Sequence, residues 1–324
     1  MKALVCHTIS DDFSGVELRE IPRPTPGPGE VLLQVRATSI NYPDLLLCQG
    51  KYQLKLDPPF TPGMDIAGEV IALGDGVDGF KLGDAVCGGN KHDGFAEYAV
   101  VPARGLWKKP NTFSFTQAAA YPAAYLTAYV SLVRRGGLQA GETLLVHGAS
   151  GGVGMAAVQV GKLLGATVIA TGGSDAKLAK VEAFGADHVL NTANGFRQQV
   201  KDLTQGKGAN VIFDPVGGDI FDESVRCIAF DGRLLVIGFT SGRIATVPTN
   251  MPLIKGFSVV GVRAGEYDRQ FPEKGAENVD KIWQWARDGK TSPHIHTTLP
   301  LDDVLDGFAM LQNRHVVGKV VICP

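Results

Sequence analysis

Apolar residues recur along the first third of the chain in short runs separated by glycine and proline. Residues 3–5, 31–35 and 65–73 read as strands, 83–86 leads into one more, and 94–100 follows in the same manner. Residues 21–30, with four prolines and two glycines, form a loop between the first two. Such closely spaced strands with glycine turns predict a compact, barrel-like β unit over residues 1–121. From Gln117 the texture changes to small and aromatic helix formers, and a unit boundary is expected near Pro122. Residues 143–146 then give a buried strand, and 153–164 an amphipathic helix carrying small Ala156, Ala157 and Gly161. Residues 167–171 give a second buried strand. Further strands at 187–191, 210–214, 233–238 and 258–262 alternate with helical stretches. That alternation predicts an α/β, doubly wound parallel sheet over 122–264. Residues 265–324, with a helix at 277–289 and a strand at 319–322, are expected to return to the first unit.

Between the strand at 143–146 and its helix lie Ser150, Gly151, Gly152, Val153 and Gly154. A glycine turn alone would also suit plain packing. Here a strand precedes it and a helix and strand follow within about 30 residues, the context of a dinucleotide site. Glycine lets the backbone approach a pyrophosphate, and the helix N-terminus offers unpaired N–H groups. Ala149 stands where the first glycine of the usual fingerprint would be, a replacement that often accompanies the phosphorylated cofactor.

The 324 residues suffice for two modest domains. A formal charge of -2 suggests neither nucleic acid nor an acidic membrane surface as partner. Five scattered cysteines without a CxxC pair argue against a disulfide framework or structural zinc, and fit a reducing compartment. The first twelve residues lack the apolar core of a signal peptide, and no stretch approaches the roughly 20 apolar residues of a membrane span. A cytoplasmic protein is expected.

The pieces SINYPDLLLCQGKY, PGMDIAGEV, GDAV, GFAEY, AAYLTAY and GKVVICP, with ASGGVG between them, resemble the medium-chain dehydrogenase/reductase superfamily and its quinone oxidoreductase branch. The likeness runs over nearly the whole length. It implies a GroES-like catalytic domain, a Rossmann domain and an active site between them. Zinc-dependent members hold their metal through a Cys and a His followed by Glu. This chain has Asn41 at the first position and Met64-Asp65 at the second, and an amide and a thioether do not replace thiolate and imidazole. The cysteine-rich lobe is missing as well, and His294 and His296 have no third ligand near them. A zinc-independent enzyme is expected.

The position where NAD enzymes place a ribose-binding carboxylate falls on Gly172. Glycine leaves room for a 2′-phosphate, with Ser174 as hydroxyl donor and Lys177 as charge. The resemblance adds Arg314, and it puts Asn191 where a phosphate-binding tyrosine often stands. NADPH is therefore expected, although a shift of the turn that brought Asp175 into place would select NADH. The resemblance also implies that Thr127 lies near the nicotinamide phosphate and that Gly238 and Phe239 lie at the carboxyl end of the sheet. Asn41 and Tyr52 are the expected donors to a substrate oxygen as charge develops there. Tyr267 reads as a pocket residue or a mobile loop, and Asp44 as a helix cap. The chain is thus expected to be an NADPH:quinone reductase. Reduction of an activated double bond in an enal, enone or enoyl thioester is the alternative, and a nucleotide-binding protein with incidental activity a third reading. A homodimer paired through the apolar stretch 258–262 is expected.

Overall fold

A computed structural model describes all 324 residues, which divide into two compact units. The first comprises Met1–Ala123 and Ser292–Pro324, the second Ala124–Thr291.

The first unit opens with strands β1 (Lys2–Cys6) and β2 (Val16–Glu20), an antiparallel pair. Then come β3 (Glu30–Ser39), β4 (Asp65–Leu73), β5 (Ala85–Gly89), β6 (Tyr98–Pro102) and β7 (Leu106–Lys108). Alternation along these strands buries Val31, Leu33 and Val35 against Ile66, Val70, Val86 and Val101. Ten-residue β3 pairs with both β4 and β6, and register shifts after Leu32 and Val35 mark irregularities that re-aim the strand.

The second unit contains β8 (Thr143–Val146), β9 (Thr167–Gly172), β10 (His188–Asn191), β11 (Ala209–Asp214), β12 (Ile228–Val236) and β13 (Ser258–Gly261). All six are parallel, in the order β10-β9-β8-β11-β12-β13. The order reverses at the β8–β11 neighbourhood, and a doubly wound sheet binds ligands at the carboxyl ends of its strands there. The chain then returns to the first unit as β14 (Ile295–Pro300) and β15 (Lys319–Cys323). They complete a seven-stranded sheet, β14-β15-β3-β4-β5-β7, in which β6 pairs with the first half of β3 on the side where β15 pairs with its end. Between them the helix Val304–Gln312 packs Val304 and Phe308 on Leu4, Ile40 and Phe95.

The return begins later than residue 265. The helix Pro272–Arg287 belongs to the second unit, because Trp285 packs at a tilt against Tyr129, 5.5 Å between ring centres. Arg134 also donates to the buried Asn278 at 2.7 Å, and Asn278 donates to Asp268. These contacts fasten the helix to its own neighbours, so the chain crosses only at residue 292.

Candidate active site

In the second unit, β8 runs into a turn in which Gly148 has φ +56°, and the helix Gly152–Leu163 starts after Gly151. Gly148 escaped the sequence reading, yet it supplies the left-handed conformation that lets the strand reverse into the helix. Gly154 serves close packing. A Cβ there would lie 2.4 Å from the Gly148 carbonyl oxygen and 2.7 Å from Ala149 Cα. Ser150, Gly151, Gly152 and Val153 remain half-exposed at the rim, whereas Ala149 and Gly154 are buried. No side chain caps this helix and no acid lies in its first turn. Its N–H groups and positive dipole end thus stand ready for an anion, and the cradle fits a pyrophosphate.

Beneath the turn lies His147, fully buried and also missed from sequence. Its Nε2 is 2.8 Å from Ser224 Oγ and its Nδ1 2.7 Å from Thr171 Oγ1. Ser224 spends its one proton on the Ile220 carbonyl at 2.6 Å, so the ring donates from Nε2 and accepts at Nδ1. Burial pushes the imidazole down to about 3. It is a neutral tie between the ends of β8 and β9 and the helix Gly218–Ser224.

At the end of β9, Gly172 lies opposite Asn191 of β10. A Cβ on Gly172 would meet only Leu178, at 3.3 Å. Ser174 precedes the helix Asp175–Ala183 without using its hydroxyl as a cap, and Lys177 is that helix's third residue. Lys177 is half-buried, which lowers its pKa. Asp175 opens the helix three residues beyond Gly172, and its Oδ1 accepts from Asn191 Nδ2 at 2.6 Å. Gly172, Ser174 and Asn191 are brought together at one strand end, and the position that ends the strand carries no acid.

Past β11, buried Asp214 accepts from the N–H groups of Val216 and Gly217 at 2.8 and 2.9 Å. The loop after β12 joins this turn, since Thr240 N donates to Pro215 O and Ser241 N to Val216 O. Gly238 lies against Pro215, and the half-exposed Phe239 ring covers Gly217. Thr127 is half-buried in the helix Pro122–Tyr129, where its carbonyl accepts from Ser131 Oγ at 2.6 Å. Tyr267 lies in the helix Ala264–Gln270, not in a loop, and its ring packs at a tilt against Phe271, 5.0 Å between centres.

In the first unit, the ends of β3, β4 and β5 meet, because Ser39 pairs with Asp65 and Asp65 with Gly89. Asn41 precedes the helix Tyr42–Cys48, and its N–H donates to Asp44 Oδ2 at 2.8 Å. Asp44 therefore caps that helix from inside its first turn. The Asn41 side chain faces inward. Nδ2 donates to Asp65 Oδ2 at 2.9 Å and to Ser39 O at 3.3 Å, and Oδ1 accepts from Lys319 Nζ at 2.6 Å. Both amide protons are committed, so Asn41 shapes the strand ends instead of offering a free donor. Lys319 also reaches Ile40 O at 3.2 Å and stands 3.9 Å from Asp65 Oδ2. Asp44, Asp65 and Lys319 are all buried. Burial raises both carboxyls, Asp44 to about 7, and lowers the ammonium, while Lys319 opposes the rise at Asp65. Asp44 Oδ1 meets no donor, so the least costly state keeps the Asp44 proton and pairs Asp65 with Lys319.

Tyr52 is half-buried in the irregular segment after this helix, with its N–H on Leu46 O at 3.2 Å. Arg314 is exposed at φ +55° after the helix Val304–Gln312. His296 accepts from Val317 N at 3.4 Å through Nδ1, and no three His, Cys, Asp or Glu side chains cluster to hold a metal.

The sequence matches the alcohol dehydrogenase GroES-like domain over residues 27–111 and the zinc-binding dehydrogenase family over 152–281. It is 40% identical to a quinone oxidoreductase-like protein 2 homolog of Nematostella vectensis, over 99% of this chain and 88% of that one. The chain belongs to the medium-chain dehydrogenase/reductase superfamily, in its quinone oxidoreductase-like branch. An acryloyl-coenzyme A reductase of Metallosphaera sedula is 32% identical over 99% of both chains. A mycobacterial protein solved in complex with NADPH superposes with a TM-score of 0.92 at 28% identity, covering all of both chains. The protein is an oxidoreductase with an NAD(P)-binding Rossmann unit and a GroES-like unit.

Proposed function

We propose that this protein is a zinc-independent, NADPH-dependent quinone reductase. The observation that carries the reading is the strand end at Gly172, where a half-buried lysine and an uncommitted serine cap accompany a position without an acid. Ser150, Gly151, Gly152, Val153 and Gly154 hold the pyrophosphate, and Gly172, Ser174, Asn191 and Lys177 accept the 2′-phosphate, with Arg314 contributing charge. Thr127, Gly238 and Phe239 border the nicotinamide, a hydride donor. Tyr52 orients the acceptor's oxygen, and Asn41 keeps the strand ends in shape behind it. Because Asn41 and Met64 occupy the positions of zinc ligands, the protein as purified should contain no stoichiometric zinc, and chelators should leave its activity intact.

Similarity to an acryloyl-coenzyme A reductase favours a second reading, reduction of an activated carbon–carbon double bond. The two separate in an assay of NADPH oxidation with an ortho-quinone, a para-quinone, an α,β-unsaturated ketone and an enoyl thioester. Quinones should turn over fastest, and Tyr52→Phe should cost less than about tenfold with them. A wild type inert towards every quinone, with rapid enone reduction that falls about a hundredfold in Tyr52→Phe, would establish the second reading instead.

A homodimer is part of the proposal. β13 is the outer strand of its sheet, and Phe230, Leu253 and Ile254 are 81%, 82% and 71% exposed. Antiparallel pairing of β13 with its copy about a two-fold axis would cover that edge. Light scattering should give twice the chain mass.

A further inference from the structure

We propose that His92, held beside Asp93, donates the proton that completes reduction of the acceptor. The inference rests on the reductase reading above.

The placement follows from the sheet. β5 ends at Gly89, opposite Asp65, and the chain then runs Asn90-Lys91-His92-Asp93-Gly94 across the same end of the strands that carries Asn41. Three backbone bonds stitch this loop to the segment before β4. Asn90 N donates to Met64 O at 2.8 Å, Asp93 N to Thr61 O at 2.8 Å, and Gly94 N to Gly63 O at 2.9 Å. Contact is close enough that a Cβ on Gly94 would stand 2.8 Å from Thr38 Oγ1. Thr38 in turn donates to the Asp65 carbonyl at 2.7 Å. His92 is thus mounted on the backbone that presents Met64 and Asp65, a few residues from Asn41's partners.

The local chemistry suits a proton donor. His92 Nδ1 lies 2.7 Å from Asp93 Oδ2, off the line an ideal hydrogen bond prefers. Both side chains are about one-third exposed, so the ring exchanges protons with water. Asp93 holds φ +78°, a conformation uncommon outside glycine and asparagine, which brings its carboxylate to the ring. The adjacent carboxylate raises the imidazole's pKa above its usual value, against burial and the opposing charge of Lys91. Thr61, Pro62, Gly63 and Met64, to which the loop is stitched, carry no ionisable side chain, and Asp65 beyond them is matched by Lys319. With Asp93 at Nδ1, Nε2 is the atom left to deliver a proton.

A hydride taken from NADPH brings the acceptor two electrons and one proton and leaves NADP+. One more proton is needed at the acceptor's oxygen. His92 Nε2–H supplies it, that N–H bond breaking as the O–H bond forms, and water recharges the neutral ring.

The test uses the full chain with His92→Gln and Asp93→Asn; asparagine tolerates the left-handed backbone at 93 as well as aspartate does. Histidine ring NMR of the protein alone should show His92 titrating at lower pH in Asp93→Asn than in the wild type. With the acceptor that the wild type reduces fastest, kcat should fall as pH rises through that titration. The falling limb should move to lower pH in Asp93→Asn. In His92→Gln it should vanish, with kcat at pH 6 down at least about tenfold, the low side for a general acid because water also protonates such oxygens. An unchanged pH profile in His92→Gln, or a ring titration indifferent to Asp93→Asn, overturns the assignment alone. Absence of NADPH oxidation with every acceptor overturns the reductase reading and this step with it.

Discussion

Replacing His147 by asparagine should weaken the nucleotide-binding unit at pH 8 and scarcely at all at pH 5. Asparagine keeps an acceptor near Thr171 but does not reach Ser224, so one buried hydrogen bond and some packing against Phe196 are lost. That costs about 1–2 kcal/mol at pH 8. In the wild type the ring stays neutral until about pH 3, whereas in the unfolded chain it takes a proton near 6.5. Below pH 6.5 the unfolded state therefore binds the extra proton, and acid removes stability between 6.5 and 3. At pH 5 that amounts to about 2 kcal/mol, at about 1.4 kcal/mol per unit. Asparagine has no such group, so the two proteins converge as pH falls. Asp44, raised to about 7, works in the opposite sense, since its folded form holds the proton more tightly. It is present in both proteins and cancels in the difference. Urea titrations at pH 8, 6.5 and 5, read by hydrogen exchange at Leu145 of β8 and Ile169 of β9, measure the effect. A deficit independent of pH would show that the ring is not held neutral, and would refute the reasoning.

Two other outcomes follow from the same interactions. Lys177→Ala should weaken NADPH by about 1–3 kcal/mol and barely touch NADH in fluorescence titrations; equal affinity of the wild type for both would point to Asp175 as discriminator. Lys319→Met should destabilise the first unit by about 3–5 kcal/mol, because Asp65 would be left as a buried charge without its cation. That loss should narrow on acidification, as a protonated Asp65 needs no counter-ion, and a deficit that grows in acid in thermal melts would contradict it.

Much of the fold was legible because the central part of the second unit's parallel sheet, strands β8, β9 and β11, is buried on both faces. Its strands are continuous apolar runs, and 143–146 coincides with β8. β4 likewise matches 65–73. What escaped was short or half-polar. β2, VELRE, buries only Val16 fully, and the helix Ala264–Gln270 has no buried residue and so no apolar stripe. β6 begins at Tyr98 instead of 94, because Phe95 turns into the core and Ala96 bridges to Ala3. β12 starts earlier than 233, at Ile228, across an irregularity where Asp231 has φ +61°. At the candidate site, the glycine turn was readable since its signal is local. The inward commitment of Asn41 was not, because Asp65 and Lys319 reach it from distant parts of the chain. His147 carried no signal either, since a histidine after a strand reads equally as surface.

The order in which the first unit's parts emerge during synthesis has a consequence for its assembly. β3 and β4 are made early, but β15, which pairs with β3 and carries Lys319, is the last strand along the chain, after the whole nucleotide-binding unit. Until then β3 lacks its β15 partner, and Asp65 must stay hydrated or protonated. The nascent N-terminal segment is thus kept from closing its interior early, while the inserted unit, continuous from Ala124 to Thr291, is free to fold first. A nascent chain that has not yet reached residue 319 carries an unpaired Asp65 carboxylate where the ends of β3, β4 and β5 meet.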